Sequence, residues 1–303
     1  MISILDQAQL AEIARDSGVR KVLRTGDVQT VFWHYPAKSS KKTRSSLILI
    51  HGYRGNHHGL EAIAGAIQNF DVYIPDLPGF GQSTQFSHEH NIDQYASWLN
   101  EFIIALSLKK KPHLLGHSFG SIVVAAYAAK YKGIATLILE NPVASPALKG
   151  PKAFMTNLAK GFFWLAGSLS EKSGLAILKS WPMVRGMSIV MTKSRRAKLR
   201  KWIHQQHDAN FNDFANRRVA LEGYSASISN CVGDYAAKVS VPVLMMIGDR
   251  DDITSVSQQQ TLYQALSHTE RELKSFIGVG HLTHYEIPRE VAMVVEDWVD
   301  RHD

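Results

Sequence analysis

One run in the 303-residue chain has the residue types and spacing for nucleophilic chemistry: Gly116-His117-Ser118-Phe119-Gly120. In a G-x-S-x-G pattern the serine stands at the tip of a tight strand-to-helix turn, with its hydroxyl exposed for attack on a carbonyl carbon. Such a turn strains the nucleophile's backbone and leaves no room for neighbouring Cβ atoms, so glycine is needed two residues before and two after. The context agrees, because the match follows a short apolar run and opens a stretch of small apolar residues, Phe119 to Tyr131. The hydroxyl is inert at neutral pH until a base takes its proton. The base needs a carboxylate to hold its tautomer, and the developing oxyanion needs two preorganised N–H donors. With 14 histidines in the chain, residue type alone does not select the base.

The elements that must position this serine follow from the apolar patterning. Ser46-Leu-Ile-Leu-Ile50, Asp71-Val-Tyr-Ile-Pro75, His113-Leu-Leu115, Ala135-Thr-Leu-Ile-Leu139, Val241 to Ile247 and Leu273 to Ile277 read as strands. Several are continuously apolar, as in a parallel sheet covered on both faces. Val28 to Tyr35 alternates like a half-exposed strand. Helical spacing occupies Asp6 to Asp16, Gly59 to Phe70, Ile92 to Leu108, Gln258 to Ser267 and Arg289 to Val299. Strand–helix alternation predicts βα units. It stops near Pro142 and resumes at Val241, and the segment between is helical and strand-poor.

Four further runs end strands in a fixed order: Ile50-His51-Gly52-Tyr53-Arg54-Gly55, Asp76-Leu-Pro-Gly79-Phe-Gly81-Gln-Ser83, Gly248-Asp249-Arg250-Asp251 and Gly280-His281. Together with the serine run they resemble the α/β-hydrolase superfamily, in its lid-bearing serine hydrolase (esterase/lipase-like) branch, over roughly residues 25–145 and 230–303. The resemblance implies an α/β fold with a mostly parallel central sheet flanked by helices, and a helical cap inserted after the sixth strand. The core would be 1–144 and 231–303, and the cap 145–230. It implies Ser118 as nucleophile, His281 as base at the Gly-His step, and Asp251, three residues after Gly248, as the acid. His284 is the alternative base; Asp249, Asp252 and Glu140 are alternative acids. The order serine, aspartate, histidine is the α/β-hydrolase order. The oxyanion donors would be the backbone N–H groups of Phe119 and Tyr53, with His51 supporting the Tyr53 loop and Asp76 to Ser83 shaping the pocket floor.

Charge is unevenly placed. Pro146 to Asn230 carries fourteen Lys/Arg against four Asp/Glu, a net +10 within a chain of net +7, so the remainder is acidic. The densest run is Lys193-Ser-Arg-Arg-Ala-Lys-Leu-Arg-Lys201. It reads either as a solvated helix face or as a weak contact for anionic membrane or substrate. Nucleic acid is excluded as partner, since no zinc-finger, RNP or helix-turn-helix pattern accompanies it. The same segment is strongly apolar, including Phe154, Met155, Leu158, Phe162, Phe163, Trp164 and Trp181. Either these residues dock the cap on the core or, with Phe162, Phe163, Trp164 and Trp181 as the candidates, they line a tunnel for an acyl chain.

The expected reaction is hydrolysis of a small-molecule carboxylic ester with an apolar acyl part, such as a monoacylglycerol-like ester, through an acyl-enzyme. The alternative is a carbon–carbon bond hydrolase or lyase using the same three side chains on an anionic substrate. Aspartate-nucleophile relatives are disfavoured because position 118 is serine. No cofactor is implied. No metal is expected either, since His57-His58 and His88-Glu89-His90 lack further ligands at helical spacing. The lone Cys231 excludes an internal disulfide, no signal pattern opens the chain, and no apolar run approaches a membrane span. A cytoplasmic setting is expected.

Overall fold

The computed structural model describes residues 6–39, 45–146 and 153–303, with side chains described from 159 onward in the last stretch. Eight strands form one sheet: β1 (Val19–Thr25), β2 (Val28–Tyr35), β3 (Ser46–Ile50), β4 (Asp71–Pro75), β5 (His113–His117), β6 (Leu137–Glu140), β7 (Val243–Gly248) and β8 (Arg271–Phe276). Their spatial order is β1-β2-β4-β3-β5-β6-β7-β8. From β4 to β8 every pairing is parallel, and β1 and β2 form an antiparallel edge. β3, β5, β6 and β7 are buried along their whole length. Helices cover both their faces, which is why their sequences read as unbroken apolar runs.

The flanking helices are α1 (Gln7–Ser17), α2 (Glu61–Ala66), α3 (Ile92–Leu106) and α4 (Phe119–Lys130). Asp6 starts α1 with a capping box to Gln9, and Asn91 caps α3, satisfying amide groups that a helix start leaves without intrahelical acceptors. α4 is buried from Phe119 to Ala128.

Between β6 and β7 lie five helices and no strand among the described residues: α5 (Ala153–Ser168), α6 (Glu171–Leu178), α7 (Trp181–Met191), α8 (Ala197–Asn210) and α9 (Arg217–Ser229). The chain then closes with α10 (Val256–Ala265), α11 (Thr283–Glu286) and α12 (Pro288–His302). Backbone hydrogen bonds tie the five-helix stretch to the turn after β4: Gly81 N–H donates to Asp213 O at 2.8 Å and Ala215 N–H to Gly79 O at 2.9 Å. Gly79 sits at φ +85°, where a Cβ would lie 2.6 Å from Val219, so only glycine lets this turn approach α9.

The sequence missed β1. Its residues Val-Arg-Lys-Val-Leu-Arg-Thr lie at the sheet edge and stay exposed up to Leu23, so no inward–outward alternation marks them. The side chains of Phe154, Met155 and Leu158 lie outside the described residues.

Candidate active site

Ser118 follows β5, the strand between β3 and β6, and opens α4. Its backbone has φ 52° and ψ −118°, a conformation that L-residues hold only when the surroundings impose it. Those surroundings are tight. A Cβ at Gly116 would lie 2.5 Å from Gly120 O, and one at Gly120 would lie 2.3 Å from Ile50 O. Both glycines are therefore required by contact. Ser118 N–H donates to Glu140 O at 3.1 Å, and Ser118 O accepts from Ser121 Oγ at 2.5 Å, which pins the turn from both sides.

His281 lies in the turn before α11, and Asp251 in the turn after β7. His281 Nδ1 is 2.8 Å from Asp251 Oδ2, and His281 Nε2 is 2.8 Å from Ser118 Oγ. An ionised carboxylate only accepts, so Nδ1 carries the proton and donates it, and Nε2 accepts the Ser118 hydroxyl. Asp251 is held in turn: its Oδ1 accepts from Ile253 N at 2.7 Å and Thr254 N at 3.3 Å. Both Asp251 and His281 are buried. The arrangement can take the serine's proton as Oγ attacks a carbonyl, then return it to the leaving group.

The alternatives named from the sequence are engaged elsewhere. Asp249 Oδ1 accepts from Gly278 N at 2.6 Å. Asp252 pairs with Lys193. Glu140 is fully buried, accepts from Thr283 Oγ1 at 2.5 Å, and has its carboxyl pushed up to about 7 by burial. His284 packs edge-on to His117, and burial drives both imidazoles well below the usual histidine range. His117 Nε2 donates to the His281 carbonyl at 3.1 Å and so points away from Ser118 Oγ.

Gly52 lies against the nucleophile: a Cβ there would be 3.3 Å from Ser118 Cβ. The next N–H, that of Tyr53, and the N–H of Phe119 have no hydrogen-bond acceptor among the described residues. For Phe119 the reason is its place as first residue of α4, where intrahelical acceptors do not exist. His51 fixes the loop. Leu77 N–H donates to its Nε2 at 2.9 Å, so its proton is on Nδ1, which donates to Gly52 O at 2.9 Å. Burial lowers the His51 pKa and keeps this neutral tautomer. Asp76 holds the same region: Oδ1 accepts from His57 N at 2.8 Å, and Oδ2 from Gln82 N at 2.8 Å.

A small cavity of about 60 Å³ opens at Ser118 and His281. Its wall from the helical stretch is Met191, His207, Asn210 and Phe211; the sequence did not single out the last three. The last three lie at i, i+3 and i+4 at the C-terminal end of α8, with Phe211 as its cap residue, on one face, and that spacing was the available signal. Among the described residues no Lys or Arg lines the cavity. The four aromatic candidates fare differently. Phe163 is buried and stacks on Tyr224 with ring centroids 3.7 Å apart, beside the Tyr53 ring. Phe162 packs against the core cluster. Trp164 and Trp181 are 73% and 61% exposed, so they face solvent and do not bind in the cavity. In a helix apolar on several faces, sequence order does not tell which residue turns inward.

His57, His58 and Glu61 bring one ligand atom each within 4.8 Å of one another. Those groups already have partners: Asp76 on His57 Nδ1, Glu61 on His58 Nδ1 and Arg15 on Glu61.

Comparison with known proteins places this geometry in a family. The chain is 26% identical to Lipase 3 of Moraxella sp. (strain TA144) over 262 residues, 84% of this chain and 78% of that one. It is 25% identical to human monoacylglycerol lipase ABHD6 over 263 residues, covering 84% and 75%. Among solved structures, a thermophilic esterase from Thermogutta terrifontis superposes with TM-score 0.73 at 20% identity, covering 94% of this chain and all of that one. The esterase EaEST from Exiguobacterium antarcticum gives 0.74 at 16% identity, covering 93% and 100%. The family model described as serine aminopeptidase, S33, matches residues 41–288, and the chain belongs to that family of α/β-hydrolases.

Proposed function

We propose that the protein hydrolyses carboxylic esters of a small alcohol and an apolar acyl chain, with monoacylglycerol-like esters as the substrate class, in a cytoplasmic setting. The observation that carries this reading is the Asp251–His281–Ser118 relay, both links 2.8 Å, opening on a largely apolar cavity. Relatives named as lipases support the ester over other acyl compounds. Ser118 Oγ attacks the ester carbonyl while His281 Nε2 takes its proton. The N–H groups of Tyr53 and Phe119 receive the charge that develops on the carbonyl oxygen. His281 then protonates the departing alcohol, and a water activated by the same nitrogen releases the acid.

In this reading residues 145–230 form a cap over the strand ends, and the acyl chain lies against Met191 and Phe211. Each buried methylene adds about 0.8 kcal/mol of binding, so activity rises with acyl length until the cavity is filled. The carbon–carbon reading relied on an anionic substrate, and among the described residues no cationic side chain of the cap lines the cavity. The exposed Arg195, Lys198, Arg200 and Lys201 are assigned instead to weak contact with anionic lipid surface. Among the described residues no helix is long and apolar enough to cross a membrane. The test is hydrolysis of p-nitrophenyl esters across acyl lengths, with Ser118→Ala as control. A Ser118-dependent rate that peaks at one length supports the reading. An active Ser118→Ala protein overturns it.

A further inference from the structure

Arg54 stands next to the proposed oxyanion donor, and its surroundings are unusual for a charged side chain. It is completely buried and sits at φ 64°, a left-handed conformation that a long side chain adopts only under constraint. Among the described residues all its hydrogen-bond partners are neutral, and all lie in the helical stretch between β6 and β7. Nη2 donates to Leu178 O at 2.8 Å and to Asn212 Oδ1 at 2.7 Å, and Nε donates to Phe211 O at 3.1 Å. Leu178 ends α6 and Phe211 follows α8, so two of these acceptors are carbonyls at helix C-termini, which carry partial negative charge. The Phe211 and Phe214 rings flank the guanidinium at 5.8 and 5.2 Å. Tyr53 makes the same kind of connection, its hydroxyl donating to Ala220 O of α9 at 2.6 Å.

The loop from His51 to Gly55 therefore reaches the helical stretch through two consecutive side chains, and Tyr53's own N–H is the proposed donor. We propose that Arg54 is a positioning residue that latches the loop to α6 and α8, so that the oxyanion donor is aligned only when those helices are seated. If the helices lift, Arg54 loses every hydrogen-bond partner it has, and the strained 53–54 backbone relaxes with it. Substrate entry and readiness for chemistry are thereby coupled. This inference rests on the ester-hydrolysis reading of the site, so its test has one arm that depends on turnover and one that does not.

Wild type, Arg54→Lys, Asn212→Ala and the double variant are compared with the p-nitrophenyl ester that wild type hydrolyses fastest. Lysine keeps the charge but cannot make the forked contact. Asn212→Ala removes that acceptor, and with it Asn212's own hydrogen bond to Lys179 O, without changing the loop, and it serves if Arg54→Lys does not fold. A misplaced oxyanion donor acts on the transition state, so kcat falls while KM stays within about twofold; the expected loss is about 10-fold for Arg54→Lys and about 3-fold for Asn212→Ala. The double variant should lose less than the product of the two single losses, because both substitutions remove the Arg54–Asn212 contact. The second arm is hydrogen exchange read by mass spectrometry, where amides of 51–56 should exchange faster together with those of 178–183 and 210–216. Unchanged kcat in folded variants, or faster exchange confined to the helical peptides, overturns the proposal. No ester turnover by wild type, together with joint loosening of the three peptides, would fail the ester reading and leave the latch standing.

Discussion

Replacing Gly120 with alanine tests the idea that the Ser118 turn is set by contact and not by loop preference. The new Cβ would lie 2.3 Å from Ile50 O and 2.7 Å from His51 O, where an ordinary contact needs at least 3.4 Å. Something must move by about 1 Å, and a misplacement of that size can cost on the order of 10²-fold in rate. Neither wall can give freely. Ile50 lies at the fully buried end of β3, which is paired with β5, and α4 is buried through three turns. The shift therefore falls on 117–119, displacing Ser118 Oγ from His281 and moving the Phe119 N–H. Overpacking of this kind costs about 1–3 kcal/mol, which a domain of ordinary stability survives. The expected result is a folded protein whose kcat for p-nitrophenyl esters is down about 100-fold, with KM little changed. Gly186→Ala is the control. It lies within α7 with open space around it, so the same added methyl should stabilise the helix by about 0.5–1 kcal/mol and leave kcat alone. A Gly120→Ala protein with near wild-type kcat would refute the argument from contact.

Asp251→Asn keeps the shape but lets the amide favour the wrong imidazole tautomer, so kcat should drop about 10⁴-fold in steady-state assays; a loss under tenfold would remove Asp251 from the relay. Acid should destabilise the fold. Burial pushes the His113 and His90 imidazoles down to about 4, against about 6.5 in the unfolded chain. The unfolded state then takes up protons first, so stability is complete above pH 6.5 and is lost as pH falls toward 4, by up to about 1.4 kcal/mol per unit for each histidine. Urea midpoints should be lower at pH 5 than at pH 7, and an unchanged or higher midpoint at pH 5 would contradict this. Binding to vesicles containing phosphatidylserine should be weak and fade with salt, because only the exposed Arg195, Lys198, Arg200 and Lys201 face outward freely while Lys193 pairs with Asp252. Binding that ignores salt, or no binding in low salt, would remove the lipid assignment.

The sheet was readable because its inner strands are buried on both faces and so carry unbroken apolar runs; β2 and β4 matched the sequence reading to the residue. β1 was not readable, because an edge strand packed on one side only gives Lys21 and Arg24 the same freedom as a loop would. The residues at the strand ends were legible through glycine: Gly52, Gly116 and Gly120 each sit where a neighbouring backbone or side chain leaves little room for a Cβ, and such requirements leave a mark in the sequence. The cavity wall was not legible in this way. Trp164 and Phe163 are adjacent and chemically alike, yet one faces solvent and the other packs on Tyr224. That choice depends on how α5 is rotated against α9, which no local pattern encodes. Asn141 went unnoticed for a related reason. Its side chain joins His281 O at 2.7 Å, Thr283 Oγ1 at 2.9 Å and Gly248 N at 2.8 Å, partners more than a hundred residues away.

The order of the strands also governs when the site comes into being. Ser118 and both proposed oxyanion donors lie on the N-terminal side of the five helices, whereas Asp251 and His281 lie beyond them, His281 at 163 positions after the serine. The pairing of β6 with β7, with Asn141 bonded to Gly248 N and His281 O, brings the two parts together. During synthesis Ser118 thus emerges without His281, the base proposed for it, while the helices between them are still being made. The proposed nucleophile of the nascent chain has no His281 imidazole to activate it until the residues beyond the last strand are made.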